Sequence, residues 1–196
     1  MFNYVIEALI GYFLASLSFS IILTKTRFKK DVREEGSGNA GATNVARVFG
    51  LKIGALTLLC DILKMVIPMY IGLYLDGRLG MAIAGIAGIL GHCFPIYFGF
   101  KGGKGVSVAA AIAIFIDWRV TVIALSIFIL MAIITKIVSI SSIFAVTAIA
   151  VLSILFKLDT PSIVLGIATA VIVIFMHREN IVRLAKGEEK KFKAKS

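Results

Sequence analysis

Three polar stretches interrupt a chain that is otherwise almost unrelieved apolar residues: 36–47 (GSGNAGATNVAR), 91–107 (GHCFPIYFGFKGGKGVS) and 177–180 (HREN). They offer Arg47, Lys101 and Lys104 as fixed positive charges. Gly102, Gly103 and their neighbours add backbone N–H groups, and Ser37, Asn39, Thr43, Asn44 and Asn180 add neutral hydrogen-bonding groups. Glycine lacks a Cβ, so successive N–H groups close around an anion. Cations and neutral donors complete a grip suited to phosphate. Ionisable groups at membrane depth are expensive, and by default functional. The plainer reading of 91–107 is a basic turn between two helices.

The two histidines are the candidates for acid–base work. His177 joins Arg178 and Asn180 within four residues, which favours a site role. His92 closes a glycine-striped helix before a proline, where it either serves the site or satisfies carbonyls freed at the helix end. Asp61 and Lys64, three apart on one helix face, either neutralise each other inside a bundle or serve the site. Ser139, Ser141 and Ser142 follow Lys136 at a helix start, where N-capping is the usual reason for serine, with Ser139 and Ser142 also candidates to face the cradle. Two nucleotide-like motifs fail. GSGNAG (36–41) has no preceding strand or βαβ unit, and Gly103, Lys104 and Gly105 lack both a following Ser or Thr and the glycine five residues before. Cys60 and Cys93 have no partner at metal or redox spacing and read as packing residues. No metal and no cofactor are expected.

Composition dictates the elements that carry these groups. With 59% hydrophobic and 16% charged residues and a mean hydropathy of +0.99, the chain reads as an all-α membrane protein, one domain over 1–196. Apolar segments at 4–24, 53–75, 79–93, 106–116, 120–135, 137–156 and 162–176 predict a seven-transmembrane-helix bundle with two short central helices, 79–93 and 106–116. The second of these would rise only about 16 Å against a hydrocarbon core of about 30 Å. The loop between them is therefore expected to dip below the surface, which a membrane permits only where backbone is buried in protein or lines a wet cavity. Gly80, Ala84 and Gly88 form a stripe inviting close helix approach. Segment 25–52 reads as a long loop, and the N-terminus, lacking the basic start of a cleavable signal, as a retained span. Seventeen of the 21 Lys and Arg residues, from Lys25 to Lys195, fall on one side of this threading, while Arg78, Arg119 and Lys157 fall on the other and Lys64 lies within a span. That bias sets the N-terminus outside and the C-terminus inside. A net charge of +10 in such blocks suits anionic lipid, not nucleic acid.

Residues 36–47, 91–106 and 177–184 (HRENIVRL) resemble, in order and over nearly the whole chain, the signature motifs of the bacterial acyl-phosphate-dependent glycerol-3-phosphate acyltransferases, integral membrane enzymes. The resemblance implies a seven-helix bundle in the bacterial inner membrane with its site at the cytoplasmic face. It implies transfer of a fatty acyl group from acyl phosphate to the 1-hydroxyl of glycerol 3-phosphate, giving lysophosphatidate and phosphate, the first acylation of phospholipid synthesis. It links activity to Ser37, Arg47, His177 and Asn180, phosphate binding to Lys101, Gly102, Gly103 and Lys104, and integrity of the fold to Glu179. Serines matching Ser139 and Ser142, and the Asp61 and Lys64 pair, also recur. Where relatives often read Ala, Thr, this chain has Ser107 and Val108.

Catalysis is thus expected of Ser37, Arg47, Lys104, His177 and Asn180. Substrate binding is expected of Asn39, Thr43, Asn44, Lys64, His92, Lys101, Gly102, Gly103, Ser139, Ser142 and Arg178, with acyl phosphate, glycerol 3-phosphate and membrane lipid as partners. The chemistry is consistent with this. Acyl phosphate is already activated, so direct transfer needs no covalent enzyme intermediate, and fixed cations and dipoles stabilise the negative charge that develops. The proton goes to His177 or to a substrate phosphate. An anion transporter would spread polar groups across the membrane, yet only Glu7, Asp61 and Lys64 lie within spans. An acyl-CoA or carrier-protein acyltransferase usually has Asp five residues after its histidine, where this chain has Tyr97 and Val182.

Overall fold

Apolar runs of more than ten residues without strict alternation form helices. In the computed structural model, which describes residues 2–193, these are α1 (Phe2–Ala15), α2 (Phe19–Phe28), α3 (Ala42–Phe49), α4 (Leu51–Cys93), α5 (Val106–Ile116), α6 (Trp118–Thr135), α7 (Val138–Leu155), α8 (Thr160–Met176) and α9 (Arg178–Ala185). Short 3-10 turns lie at Val32–Glu34 and Ile96–Phe98. Lys195, counted above among the inside charges, lies outside the described residues.

Two expectations need correction. The first apolar segment is not one helix over 4–24, because residues 16–18 leave helical geometry. The freed Leu17 carbonyl accepts from Lys64 Nζ at 2.8 Å, and Ser16 Oγ donates to Tyr12 O at 2.7 Å; buried backbone groups need such partners. Nor is 25–52 all loop. α2 continues to Phe28, and α3 begins once the glycines stop at Gly41, burying Val45 and Ala46. Beyond the last apolar segment, Arg178–Ala185 form a further helix, α9.

α4 is a hairpin. Asp76 and Gly77 (φ 63) break it, and that left-handed backbone favours glycine. Met65 faces Gly88, Met69 faces Gly85 and Gly72 meets Gly80, so arms 51–75 and 78–93 run antiparallel, as two helices were expected to. The small-residue stripe does what its spacing suggested. Gly11 of α1 lies on the Ala84 backbone, and Gly91 lies on that of Tyr12. Helix association in lipid relies on such close van der Waals approach.

The second arm ends level with Lys64, since His92 Nδ1 is 3.0 Å from Lys64 Nζ. Lys64 stands about 20 Å along the first arm from its start. Loop 94–105 therefore starts deep beside that arm before entering α5. This short helix is the central pillar, buried at Ser107, Val108, Ala109, Ala111, Ile112, Ala113 and Ile116 and packed on α4, α6, α7 and α8. Four stretches, Phe2–Phe28, Leu51–Phe98, Trp118–Thr135 and Val138–Leu155, are long and apolar enough to cross a membrane, and α8 with α9, bent by 59°, makes a fifth. At one end, Arg78 donates to Phe115 O at 2.8 Å and lies 3.7 Å from Asp159, and Arg119 covers the Phe156 ring at 4.8 Å. All three polar motifs gather elsewhere.

Candidate active site

The glycine run doubles back on the end of α4: Gly102 N donates to Cys93 O at 3.1 Å and Gly103 N to His92 O at 3.2 Å. Only glycine fits. A Cβ on Gly102 would overlap His92 O, and one on Gly103 would overlap His92 Nε2 and come within 3.0 Å of Ala40 O. The first and second motifs touch here. Gly41 opens α3 and Gly105 (φ 86) opens α5, neither start capped by a side chain. Such helix starts present free N–H groups and partial positive charge to an anion.

Asn44 organises the first motif, accepting from Ser37 N at 2.9 Å and donating to Val32 O at 3.1 Å and Glu35 O at 2.9 Å. Arg33 clasps the two loops together, 2.8 Å from Asp31 Oδ2 and donating to Phe98 O at 2.7 Å. Its hydrogen bonds hold the Asp31 carboxyl well below the usual carboxylate range. Between the loops lies a cleft of about 530 Å³ lined by Asp31, Arg33, Glu34, Gly38, Phe98, Gly99, Lys101 and Gly102.

Beyond the glycine run, Lys104 Nζ donates to Asn180 Oδ1. Asn180 Nδ2 and Ser139 Oγ both donate to Glu189 Oε1, the latter at 2.8 Å, and Arg183 Nε donates to Glu189 Oε2 at 2.7 Å. Burial pushes the Glu189 carboxyl up, but these donors outweigh it and hold it below its ordinary value. Burial, then Arg183, lowers Lys104. His177, 4% exposed at the bend between α8 and α9, is lowered by burial, with Lys104 adding to the effect against the Val173 carbonyl. That carbonyl lies 2.7 Å from Nδ1. A carbonyl only accepts, so hydrogen bonding assigns the ring proton to Nδ1 and leaves Nε2 with a free lone pair.

Beneath the glycines, Lys64 Nζ lies 2.8 Å from both Asp61 Oδ1 and Leu17 O and 3.0 Å from His92 Nδ1, while Ser107 Oγ donates to Asp61 Oδ2 at 3.1 Å. Lys64 is thereby hydrogen-bonded to Leu17 O and His92 and ion-paired with Asp61.

The structure thus brings together Lys104, His177, Asn180 and Ser139 on one side, Lys101 and Gly102 on the other, and Gly103, His92 and Lys64 between and below. Asn39 and Thr43 are half-buried at the start of α3, and Arg47 is half-buried on its last turn. Ser37 is exposed. Arg178 is exposed and stacks on Phe175 at 4.9 Å, while Ser142, buried one turn beyond Ser139 on α7, donates to Val138 O of its own helix at 2.8 Å. Glu179, associated above with integrity of the fold, is exposed and has no side-chain partner among the described residues; the carboxylate that ties elements together is Glu189. Arg33, Arg183 and Glu189 escaped sequence reasoning because each sits in a charged run that composition cannot tell from a juxtamembrane face.

Comparison with known proteins bears on this geometry. A sequence model of the family described as glycerol-3-phosphate acyltransferase matches residues 5–187. The glycerol-3-phosphate acyltransferase of Thermoanaerobacter pseudethanolicus (strain ATCC 33223 / 39E) is 40% identical over 192 residues, covering 98% of this chain and 97% of its own. Glycerol-3-phosphate acyltransferase 2 of Bacillus anthracis is 36% identical, covering 95% and 98%. The crystal structure of PlsY (YgiH), an integral membrane glycerol 3-phosphate acyltransferase, in its glycerol 3-phosphate form matches with a TM-score of 0.92 at 32% identity, covering 97% of this chain and 96% of that one. Its lysophosphatidic acid form matches at 0.89 and 31%, covering 97% and 95%. With motifs, fold and relatives in agreement over almost its full length, the chain belongs to the glycerol-3-phosphate acyltransferase family.

Proposed function

We propose that the chain transfers a fatty acyl group from acyl phosphate to the 1-hydroxyl of glycerol 3-phosphate, releasing phosphate and leaving 1-acyl-glycerol 3-phosphate in the membrane, the first acylation of bacterial phospholipid synthesis. The observation that carries this reading is the run of contacts from Ala40 to Gly103 and from Lys104 through Asn180 to Glu189. It draws three motifs around one glycine run with cationic groups on either side, enough for two phosphates.

The substrate hydroxyl attacks the acyl carbonyl carbon, the bond from that carbon to the phosphate oxygen breaks, and phosphate leaves with the electron pair. The hydroxyl proton passes to His177 Nε2 or to a phosphate oxygen. Lys104, Arg47 and the glycine N–H groups stabilise the acyl oxyanion and departing phosphate in a poorly hydrated site, where fixed charges count most. Asn180 holds Lys104, and Ser37, Asn39, Thr43, Lys101, Gly102, Gly103 and His92 complete the grip. The site opens to the cytoplasm of the bacterial cell membrane. The chain crosses seven times, arm 78–93 and α5 counted as one crossing each, with the N-terminus outside, and the positive-inside bias supports this. The test is formation of 1-acyl-glycerol 3-phosphate by detergent-solubilised protein from glycerol 3-phosphate and palmitoyl phosphate, beside palmitoyl-CoA and palmitoyl carrier protein, with phosphate release followed for the first donor. Acyl transfer is expected only with the first donor; turnover with a thioester alone would defeat the donor assignment.

A further inference from the structure

The two histidines carry opposite tautomers. An ammonium offers only protons, so His92 Nδ1, 3.0 Å from Lys64 Nζ, must accept, and the ring proton lies on Nε2. Nε2 is the ring atom lying against Gly103, at the point where that residue lacks a side chain. Lys64 cannot easily turn elsewhere. It also donates to Leu17 O at 2.8 Å and is ion-paired with Asp61, whose Oδ1 lies 2.8 Å away, and Ser107 secures the second Asp61 oxygen at 3.1 Å. Ion pairs buried at such depth add little stability over apolar packing, and their best-attested use is to fix one arrangement among several. Here the arrangement fixed is a ring. His177, with its proton on Nδ1, offers a lone pair; His92 offers an N–H.

We propose that Asp61, Lys64 and Ser107 are positioning residues that lock His92 as an Nε2–H donor, and that this neutral N–H holds a phosphate oxygen over Gly103. The proposal rests on the acyltransferase reading and deepens it. A neutral tautomer set by hydrogen bonding grips phosphate without adding a titrating charge beside Lys104.

The experiment is ¹⁵N NMR of histidine-labelled protein in detergent, which is tractable because the chain has two histidines, with His92→Gln for assignment. His92 should be protonated at Nε2 and bare at Nδ1, and inorganic phosphate should move the Nε2 signal. The double variant Asp61→Asn, Lys64→Met, which leaves no buried charge alone, should give a mixture of tautomers. In kinetics, His92→Gln sets an amide N–H near the Nε2 position and should keep both substrate KM values within about threefold, whereas His92→Phe should raise one of them about tenfold or more. A proton on Nδ1 in the unaltered protein, an Nε2 signal indifferent to phosphate, or equal KM values for the Gln and Phe variants would each overturn the proposal. Failure of acyl transfer from palmitoyl phosphate would defeat the functional reading alone, because the tautomer and phosphate titration need no turnover.

Discussion

Glu189 ties three elements through one carboxylate: Ser139 from α7, and Asn180 and Arg183 from α9, all donate to it, and Asn180 in turn receives Lys104 from the glycine loop. Glu189→Ala removes the acceptor and strands the buried Ser139 and Asn180 donors and the half-buried Arg183, at about 1–3 kcal/mol. It should lower both melting temperature and kcat, with Glu189→Gln intermediate; thermal denaturation and phosphate release measured together check this, and wild-type values in both would remove Glu189 from the site's support. The pH profile tests its neighbours. A base must be neutral, so activity falls as pH drops through the His177 pKa, which burial holds below its usual value of about 6.5. Lys104 must be charged, so activity falls as pH rises through its pKa, held below about 10.4. His177→Gln should abolish the acid limb and Lys104→Arg should push the alkaline limb upward. An acid limb that survives His177→Gln passes the proton to a substrate phosphate.

At the scale of elements, helix types follow from local sequence and helix breaks do not. The α4 hairpin was legible because Asp76 and Gly77 interrupt an apolar run and the glycine stripe beyond them needs a partner. The break at 16–18 was not legible, since Lys64, which satisfies the carbonyl freed there, lies far along the chain on another helix. Glu189 was hidden for the same reason, while Gly102, Gly103 and Lys104 announced themselves by type. The hairpin also carries a mismatch remote from the site. Glu7 of α1, 1% exposed, lies beside Asp76, and both Glu7 oxygens and Asp76 Oδ2 lack a donor among the described residues. Glu7→Gln supplies an N–H to that pair, worth about 1 kcal/mol. The melting temperature should rise by about 2–4 °C with phosphate release unaltered; a lower melting temperature would mean that the acid itself is needed.

For the whole molecule, the two ends differ in the charge they hold and in what they do with it. Arg78 and Arg119 are spent locally, on Phe115 O and Asp159 and on Asp117 and the Phe156 ring. Lys104, Arg183 and the glycine N–H groups converge on a site at the other. Burying a polar centre beside apolar helices is tolerable in a membrane only where protein surrounds it, and the deep start of loop 94–105 beside the first arm of α4 meets that condition. If one end faces the cytoplasm, all three motifs must label from that side. With Cys60 and Cys93 replaced by alanine, single cysteines at exposed Glu34 and Glu188 should react with a membrane-impermeant maleimide only after cells are opened, whereas cysteines at exposed Arg119 and Lys157 should react on intact cells. Labelling of Glu34→Cys and Glu188→Cys from opposite sides would break the shared site. Labelling of both from outside would keep the site and reverse the protein in the membrane, leaving acceptor and donor to reach it from the wrong compartment.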